Sequence, residues 1–381
     1  MTIYILIFGC LFFFSILRER FKNNTVNTVL VITLLVICIL ITGTRYHMGG
    51  TDIINYESFY RDTPKIYNLN IFQLIQNQGL IGGDIGYTLI NAFSKTIGLS
   101  FYGFTLLVAI FFYSAMYSAF KQYSSNFYFF LCMFFYKGLL DLTFVYMRQS
   151  IAVAIFFLSL KFLNEKKLIR YGIICLIAAT VHFSAFFLLA LIPIKLFKLT
   201  RKFIIIYSIC LSFTYIFVLL DINVFSYLTF LHSIFQGVAS SKVDSVMGLN
   251  NLYANTSTSF LHLAEFLVID ILLIVNKNNL DDLESKEDTI IKMFLLLLPI
   301  FSIFANQEIL IRLKYYFILV YPVIILYSIK SFSEKIRVLV IIIACVISFL
   351  GMYKFAVQFD GGVLSNYHSF LEYGQSIFMK E

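Results

Sequence analysis

Residues 31–60 read VITLLVICILITGTRYHMGGTDIINYESFY, and this stretch decides how the chain is organised. It begins with an uninterrupted apolar run, whereas residues 43–60 gather an arginine, a histidine, three glycines, an aspartate, a glutamate and three tyrosines. Together with the residues before it, the apolar run is long enough to cross a membrane as a helix. Arg45 is therefore expected where that helix meets water, and the polar part is expected to line an active surface.

The rest of the chain continues the apolar pattern. The 381 residues are 60% hydrophobic and only 13% charged, whereas soluble domains carry about 25% charged residues. Apolar runs of spanning length recur from end to end and are continuous rather than alternating, which excludes a β-barrel. The sequence therefore predicts an all-α polytopic membrane protein with about twelve transmembrane helices, forming a single integral membrane domain over residues 1–381.

The distribution of charge predicts the orientation of these helices. The net charge of +8 comes from short basic clusters between apolar runs, which indicates membrane topology and not nucleic-acid binding. Placing these clusters inside leaves loops at about 43–84 and 221–259, and a C-terminal tail at about 353–381, on the outside. Residues 168–194 then either cross twice as two short half-helices with His182 near the turn, or one of the two flanking basic clusters does not lie inside. Such short helices are tolerated only where they line protein or a water-filled cavity.

Arg45, Arg148 and Arg312 depart from this charge bias because each lies at the predicted outer end of a span. A charge at this depth is costly unless it is paired, reaches the lipid headgroups or lines a wet cavity. Any one of the three is explained by contact with headgroups. Three at the same depth favour a shared anionic ligand, and the planar guanidinium fork suits a phosphate or diphosphate.

His182 and Asp52 are the candidates for acid–base chemistry. His182 lies in the apolar context AATVHFSAFF, where it is either a structural hydrogen-bonded histidine or a general base. Asp52 follows Gly-Gly-Thr, where the backbone can approach a ligand closely, so it is either a solvated loop charge or a group that orients Arg45 or accepts a sugar hydroxyl. His262 and Glu265 share a helix face, and a structural pair is as good an interpretation as a site.

No pattern in the sequence indicates a metal site or a cofactor site. The six cysteines lie inside apolar runs, without CxxC or CxxH spacing, and are interpreted as small core residues. HExxH, phosphate-loop and GxSxG motifs are absent from the sequence. We therefore expect neither a metal nor a cofactor.

Five stretches follow one another in an order that resembles the EpsG-type branch of the Wzy polysaccharide polymerases. These are GTRYHMGGTDIINYESFY at 43–60, GDIGYTLIN at 83–91, YMRQSIAVAIFFLSLKFL at 146–163, VHFSAFFLLALIPI at 181–194 and RLKYYFILVYPV at 312–323. The resemblance covers most of the chain, and residues 200–300 contribute little to it.

The resemblance implies a metal-independent membrane glycosyltransferase. Such proteins join oligosaccharide repeat units, carried on undecaprenyl diphosphate, into O-antigen, capsule or exopolysaccharide at the outer face of the bacterial plasma membrane. Their architecture is similar to that of the C-type membrane glycosyltransferases. The family arginines that hold the diphosphate match Arg45, Arg148 and Arg312, its histidine motif falls on His182, and its Gly-Thr-Asp element ends at Asp52. The expected partners are the lipid-linked glycan, membrane lipid and a chain-length regulator.

Other functions share parts of this pattern. A flippase or transporter for the same lipid-linked glycan would also need a basic cavity, but it should show internal repeats and basic residues deep within spans, which the sequence lacks. A membrane O-acyltransferase should gather its polar residues on the inside. O-antigen ligase stays open, because it shares the arginine-bound lipid diphosphate and an outer loop.

Overall fold

A computed structural model of the chain describes residues 1–18, 24–78, 85–220, 222, 260–276, 280, 283–305 and 308–379. Within these ranges the regular structure is helical, apart from two isolated β-bridges. The prediction of an all-α protein is thus confirmed. The outer loop predicted at 221–259 lies outside the described residues except for Ile222.

The helices of the first half set up the candidate site. In chain order they are α1 Thr2–Leu17, α2 Asn24–Gly43, α3 Gly50–Asp62, α4 Ile71–Gln78, α5 Ile85–Thr96, α6 Phe101–Phe120, α7 Phe127–Phe134 and α8 Met147–Asn164. A π-helix, Phe135–Thr143, continues α7. Helix α3 lies inside the predicted outer loop 43–84, which is therefore partly helical.

The helices of the second half complete the bundle. They are α9 Leu168–Val181, α10 Leu191–Leu196, α11 Arg201–Ser212, α12 Tyr215–Leu219, α13 Leu261–Val275, α14 Ser285–Ile303, α15 Glu308–Ile311, α16 Lys314–Phe317, α17 Val320–Ile329 and α18 Glu334–Gln358. A 3₁₀ segment, Phe183–Ala190, joins α9 to α10.

Four helical stretches among the described residues are long and apolar enough to cross a membrane by themselves. They are Thr25–Gly43, Phe101–Phe120, Arg201–Leu219 and Glu334–Gly362. This confirms a polytopic membrane protein, with fewer unambiguous spans than the twelve segments predicted. Interior helices are less apolar because protein surrounds them: α8, for example, carries Arg148 and Gln149 in its first turn and is mostly buried.

Helix α18 shows how an outer helix divides between protein and lipid. Ile341, Cys345 and Met352 are buried, whereas Ile343 and Leu350 are half or more exposed. The two sets follow helical spacing, so one stripe packs inward and the other faces out. Apolar side chains exposed along a whole helix suit a lipid environment and would be a liability in water.

The loops that the sequence places inside contact one another at one end of the bundle. Their contacts are Arg18 with the carbonyl of Ser125, Ser285 with the carbonyl of Asn164, Lys195 with Asp288, and Arg201 with the carbonyl of Asn276. The other end of the bundle holds α3 and the C-terminal tail, and we call it the α3 end.

The C-terminal tail is an integral part of the α3 end. Helix α18 extends to Gln358, beyond the predicted end of the last span, and the chain then folds back over the bundle. Isolated bridges pair Arg45 with Ser369 and Leu99 with Phe378. The tail therefore covers the C-terminus of α2 and the N-terminus of α6.

The chain reverses direction at His182, as predicted. Helix α9 ends there, and the hydroxyl of Tyr171 donates to the carbonyl of Leu188 at 2.8 Å. The two short arms thus pack side by side. Since α9 runs antiparallel to α8, its end returns to the α3 end, where α8 begins.

Candidate functional site

Tyr56 lies at the centre of the polar residues at the α3 end. Asp52 and Tyr56 are four residues apart on α3 and so share one helix face. The guanidinium carbon of Arg148 lies 5.5 Å from the centre of the Tyr56 ring and 6.0 Å from that of Tyr87. These are cation–π distances, and they hold Arg148 against the inner side of α3.

The electrostatics of Tyr56 show which charges surround it. Burial raises the pKa of Tyr56, and Asp52 raises it further, while the charge and hydrogen bonding of Arg148 and the charge of Arg312 oppose this rise. Asp52, Arg148 and Arg312 therefore all lie within electrostatic reach of one hydroxyl. With its pKa raised, Tyr56 keeps its proton near neutral pH and can donate it in a hydrogen bond.

Arg312 is fixed to the N-terminus of α8. Its guanidinium carbon lies 4.5 Å from the ring centre of Tyr146, and its carbonyl accepts a 2.7 Å hydrogen bond from Nε2 of Gln149. Tyr146 and Gln149 flank Arg148 in the sequence, so Arg312 is held beside it. The N-terminus of a helix carries partial positive charge. We name Asp52, Tyr56, Arg148 and Arg312 the arginine site.

Arg45 is placed differently from the sequence-based expectation of a helix end in water. It is only 3% exposed, and it donates to the carbonyls of Thr42 and Phe144, the latter at 3.3 Å. Burial lowers its pKa to about 10, which leaves it charged at neutral pH, and Tyr56 is among the tyrosines within its electrostatic reach. Arg45 thus ties α2 to the end of the π-helix and adds positive charge behind the arginine site.

Two glycines allow α3 to approach the bundle. Gly49 has a φ of +148°, and a Cβ at this position would lie 2.5 Å from the carbonyl oxygen of Phe144. Gly50 follows with a φ of +66° and begins α3. Only glycine accommodates both this backbone and this contact, and the arrangement sets the position of Asp52 and Tyr56.

His182 belongs to a chain of hydrogen bonds at the same end. Its Nδ1 lies 2.6 Å from Oγ of Ser184, and that oxygen lies 3.0 Å from the hydroxyl of Tyr316. Tyr316 is on α16, directly after the segment that carries Arg312, and packs edge-on against Phe156 of α8. The imidazole is thus oriented by the elements that carry the two arginines.

A model of the EpsG family matches residues 27–374, which is most of the chain. The chain belongs to the EpsG family. No curated protein and no solved structure matches it. EpsG membership is consistent with an EpsG-type polysaccharide polymerase, and the matched range includes the arginine site, Arg45 and His182.

Sequence patterns do not identify several residues of this candidate site. Tyr56 was one of many tyrosines, and only the helical spacing from Asp52, inside a segment expected to be a loop, would have singled it out. Ser184 and Tyr316 are 132 residues apart, and nothing local in the sequence links them. Gln149 directly follows Arg148, so its position next to a candidate site residue does indicate it.

A second polar cluster lies within the bundle of this EpsG protein. Lys137 of the π-helix forms an ion pair with Glu265 of α13, and its ammonium lies 4.1 Å from the ring centre of Tyr136. His262 stacks on Phe301 with ring centres 4.1 Å apart, and its Nδ1 is 4.0 Å from Glu265. The first partner of Glu265 is therefore Lys137, a structural arrangement that holds α13 against the π-helix.

Proposed function

We propose that this protein polymerises undecaprenyl-diphosphate-linked oligosaccharide repeat units into O-antigen, capsule or exopolysaccharide. The observation that carries the proposal is the convergence of Arg148 and Arg312 beside Tyr56 at the N-terminus of α8. Two guanidinium forks and a helix N-terminus form a site suited to a diphosphate. The EpsG family match supports the same class of reaction.

The reaction is a displacement at the anomeric carbon of the donor sugar. The hydroxyl oxygen of the acceptor sugar forms a bond to that carbon, and the bond from carbon to the phosphate oxygen breaks. The electron pair leaves with the lipid diphosphate, whose growing charge Arg148 and Arg312 stabilise. Removing one such preorganised donor typically costs about 10²–10³-fold in rate. Arg45 contributes by its charge, and no step requires a metal.

The acceptor hydroxyl loses a proton as the bond forms, and His182 is the proposed base. Ser184 and Tyr316 fix the orientation of its ring, as base-orienting groups do in other enzymes. Asp52 is the proposed group for a sugar hydroxyl, because it lies one helical turn from Tyr56. The test is a comparison of pH–rate profiles. We expect Ser184→Ala to shift the acid limb, whereas a purely structural serine would change stability and leave the limb in place.

The proposed orientation places the α3 end outside the plasma membrane. The basic loops that contact one another at the opposite end face the cytoplasm, in line with the positive-inside rule. The lipid tail of the substrate then lies among exposed apolar side chains of the bundle, and a chain-length regulator is a fitting partner on the outside.

The proposal is tested in a strain that lacks the gene and carries plasmid-borne variants. We expect the wild-type gene to restore long surface glycan and Arg148→Ala to leave lipid-linked single repeat units, with the protein still inserted. Arg170→Ala is the matched control, because Arg170 is exposed at the opposite end of α9. Wild-type chain length in the Arg148→Ala strain contradicts the diphosphate site.

The same strain separates the alternatives. A ligase would give loss of all glycan from the surface acceptor, single units included. A flippase would give lipid-linked units that accumulate on the cytoplasmic side. Single units on the outside are the outcome specific to a polymerase.

A further inference from the structure

An aromatic stack with an open end lies beside α3, where Glu57 contacts it. The ring of Tyr46 is 4.2 Å from that of His47 and 4.1 Å from that of Tyr373, with interplanar angles of 21° and 16°. Two rings this close and this parallel to a third must lie on its opposite faces. Tyr373 is 50% exposed, so the stack ends in a ring that is open to solvent.

Buried neighbours hold the stack in place. Tyr102 stacks against Tyr46 at 5.8 Å and against Phe370 at 5.0 Å, and both Tyr102 and Phe370 are buried. The backbone nitrogen of Tyr46 also donates to the carbonyl of His368 at 2.9 Å. The exposed ring is therefore presented by a supported platform. We name Tyr46, His47, Tyr102 and Tyr373 the aromatic ledge.

Each end of the aromatic ledge carries a histidine–carboxylate pair. Nε2 of His47 lies 2.7 Å from the carboxylate of Glu57, and the hydroxyl of Tyr102 is 3.4 Å from the same nitrogen. At the other end, His368 and Glu372 are 3.7 Å apart. All four of these charged or titratable side chains are about a third to a half exposed, so their polar atoms are accessible to a ligand.

The backbone at His47 is strained. Its φ of +46° is left-handed, a conformation that a non-glycine residue rarely adopts. Such strain persists only where surrounding contacts impose it, and it is concentrated at binding and active sites. Here it places the imidazole simultaneously against Tyr46 and beside Glu57.

We propose that the aromatic ledge binds the oligosaccharide portion of the substrate or product, as a site separate from the arginine site. The face of an aromatic ring is partly negative, and the C–H face of a pyranose ring is apolar and partly positive, so the two stack. Carboxylate and imidazole groups beside the rings bind sugar hydroxyls.

Helix α3 joins the two sites. Tyr56 faces Arg148, whereas the next residue, Glu57, faces the aromatic ledge. A glycan whose reacting end lies in the arginine site can thus continue across α3 onto the ledge. This inference rests on the proposed polymerase function, which supplies a long glycan at the α3 end.

The test uses saturation-transfer NMR on the purified full-length protein in detergent. The probe is the set of lipid-free oligosaccharide fragments released by mild acid from the surface polysaccharide of the strain that encodes this chain. We expect transfer to sugar ring protons in the wild type, at least a fivefold loss in Tyr373→Ala, and retention in Tyr373→Phe, which keeps the ring. Glu57→Gln should weaken the signal as well.

Two controls make the outcome decisive. Tyr67→Ala removes a tyrosine of the outer loop that is more exposed than Tyr373 and should leave the signal unchanged. Arg170→Ala, at the opposite end of α9, should also leave it unchanged. The probe lacks the diphosphate and binding needs no bond formation, so failure of the polymerase proposal is distinguishable from failure of this one. The absence of any signal with the wild type, or equal signals from wild type and Tyr373→Ala, overturns the aromatic ledge as a glycan site.

Discussion

Arg148 and Arg312 both act electrostatically on Tyr56 and are held by different contacts. Arg148 packs on the rings of α3 and α5, whereas Arg312 packs on Tyr146 and is held through its own carbonyl by Gln149. Each guanidinium is thus positioned by protein before a ligand arrives. Preorganised charge of this kind needs no reorganisation during the reaction.

Replacing these arginines with lysine should distinguish the contribution of positive charge to the rate from that of the guanidinium geometry. Arg312→Lys keeps the positive charge but loses the planar fork. We expect a rate between those of the wild type and Arg312→Ala, with the alanine variant reduced by about 10²–10³-fold. The measurement is the initial rate of glycosidic bond formation with purified enzyme. Equal rates for Arg312→Lys and wild type would show that charge alone suffices.

Tyr56 should act as a neutral hydrogen-bonding group over the whole working pH range. Burial raises its pKa above that of a free tyrosine, so the proton is retained at neutral and moderately alkaline pH. We expect Tyr56→Phe to lower the rate about tenfold, in line with the loss of a hydrogen bond to a charged group. The alkaline part of its pH–rate profile should parallel that of the wild type. A wild-type profile with an alkaline limb that Tyr56→Phe removes would contradict this.

At the scale of elements, α3 owes its position to one close approach. Gly49 lies directly against the carbonyl of Phe144, and this carbonyl also accepts a hydrogen bond from Arg45. The sequence identified the glycines and Arg45 as unusual. It could not show that they meet at Phe144, because this residue lies almost a hundred positions away and has no distinguishing neighbours.

Gly49→Val should therefore displace α3. The added side chain meets Phe144 and imposes an unfavourable φ, so we expect loss of both thermal stability and polymerase activity. Gly9→Ala is the control, since a Cβ at Gly9 meets nothing within 4 Å and alanine in a helix is favourable by up to about 1 kcal/mol. A Gly49→Val protein with wild-type activity would contradict the packing described for α3.

Loss of one partner of the Lys137–Glu265 ion pair should destabilise the protein more than replacement of both partners. Lys137→Met removes the lysine partner of Glu265 within the bundle, and breaking a buried pair typically costs about 3–5 kcal/mol. We expect the double variant Lys137→Met/Glu265→Leu to recover most of this loss in thermal unfolding. An equal or larger loss in the double variant would contradict this prediction, because it would show that the two side chains stabilise the bundle through contacts other than their ion pair.

At the scale of the whole molecule, sequence reasoning predicted the helical bundle, the reversal at His182 and the grouping of basic loops at one end. These follow from apolar run length and charge distribution, which are local properties. It did not predict the fold-back of the tail or the helix inside the first outer loop. Both depend on contacts between distant segments, such as Arg45 with Ser369.

The bundle suits the proposed reaction between two lipid-linked glycans. Outer helices such as α18 expose continuous apolar stripes, while the α3 end gathers the arginine site, His182 and the aromatic ledge. The substrate that we propose, with an isoprenoid tail, a diphosphate and a sugar chain, would meet these surfaces in that order.

The most direct test of this account is polymerisation by the purified protein in liposomes that contain lipid-diphosphate-linked repeat units. The products are resolved by chain length, and released undecaprenyl diphosphate is counted against bonds formed. We predict a ladder with one lipid diphosphate released per bond for the wild type and for Arg170→Ala, and unreacted single units for Arg148→Ala/Arg312→Ala. A ladder formed at the wild-type rate by the double variant would contradict the account.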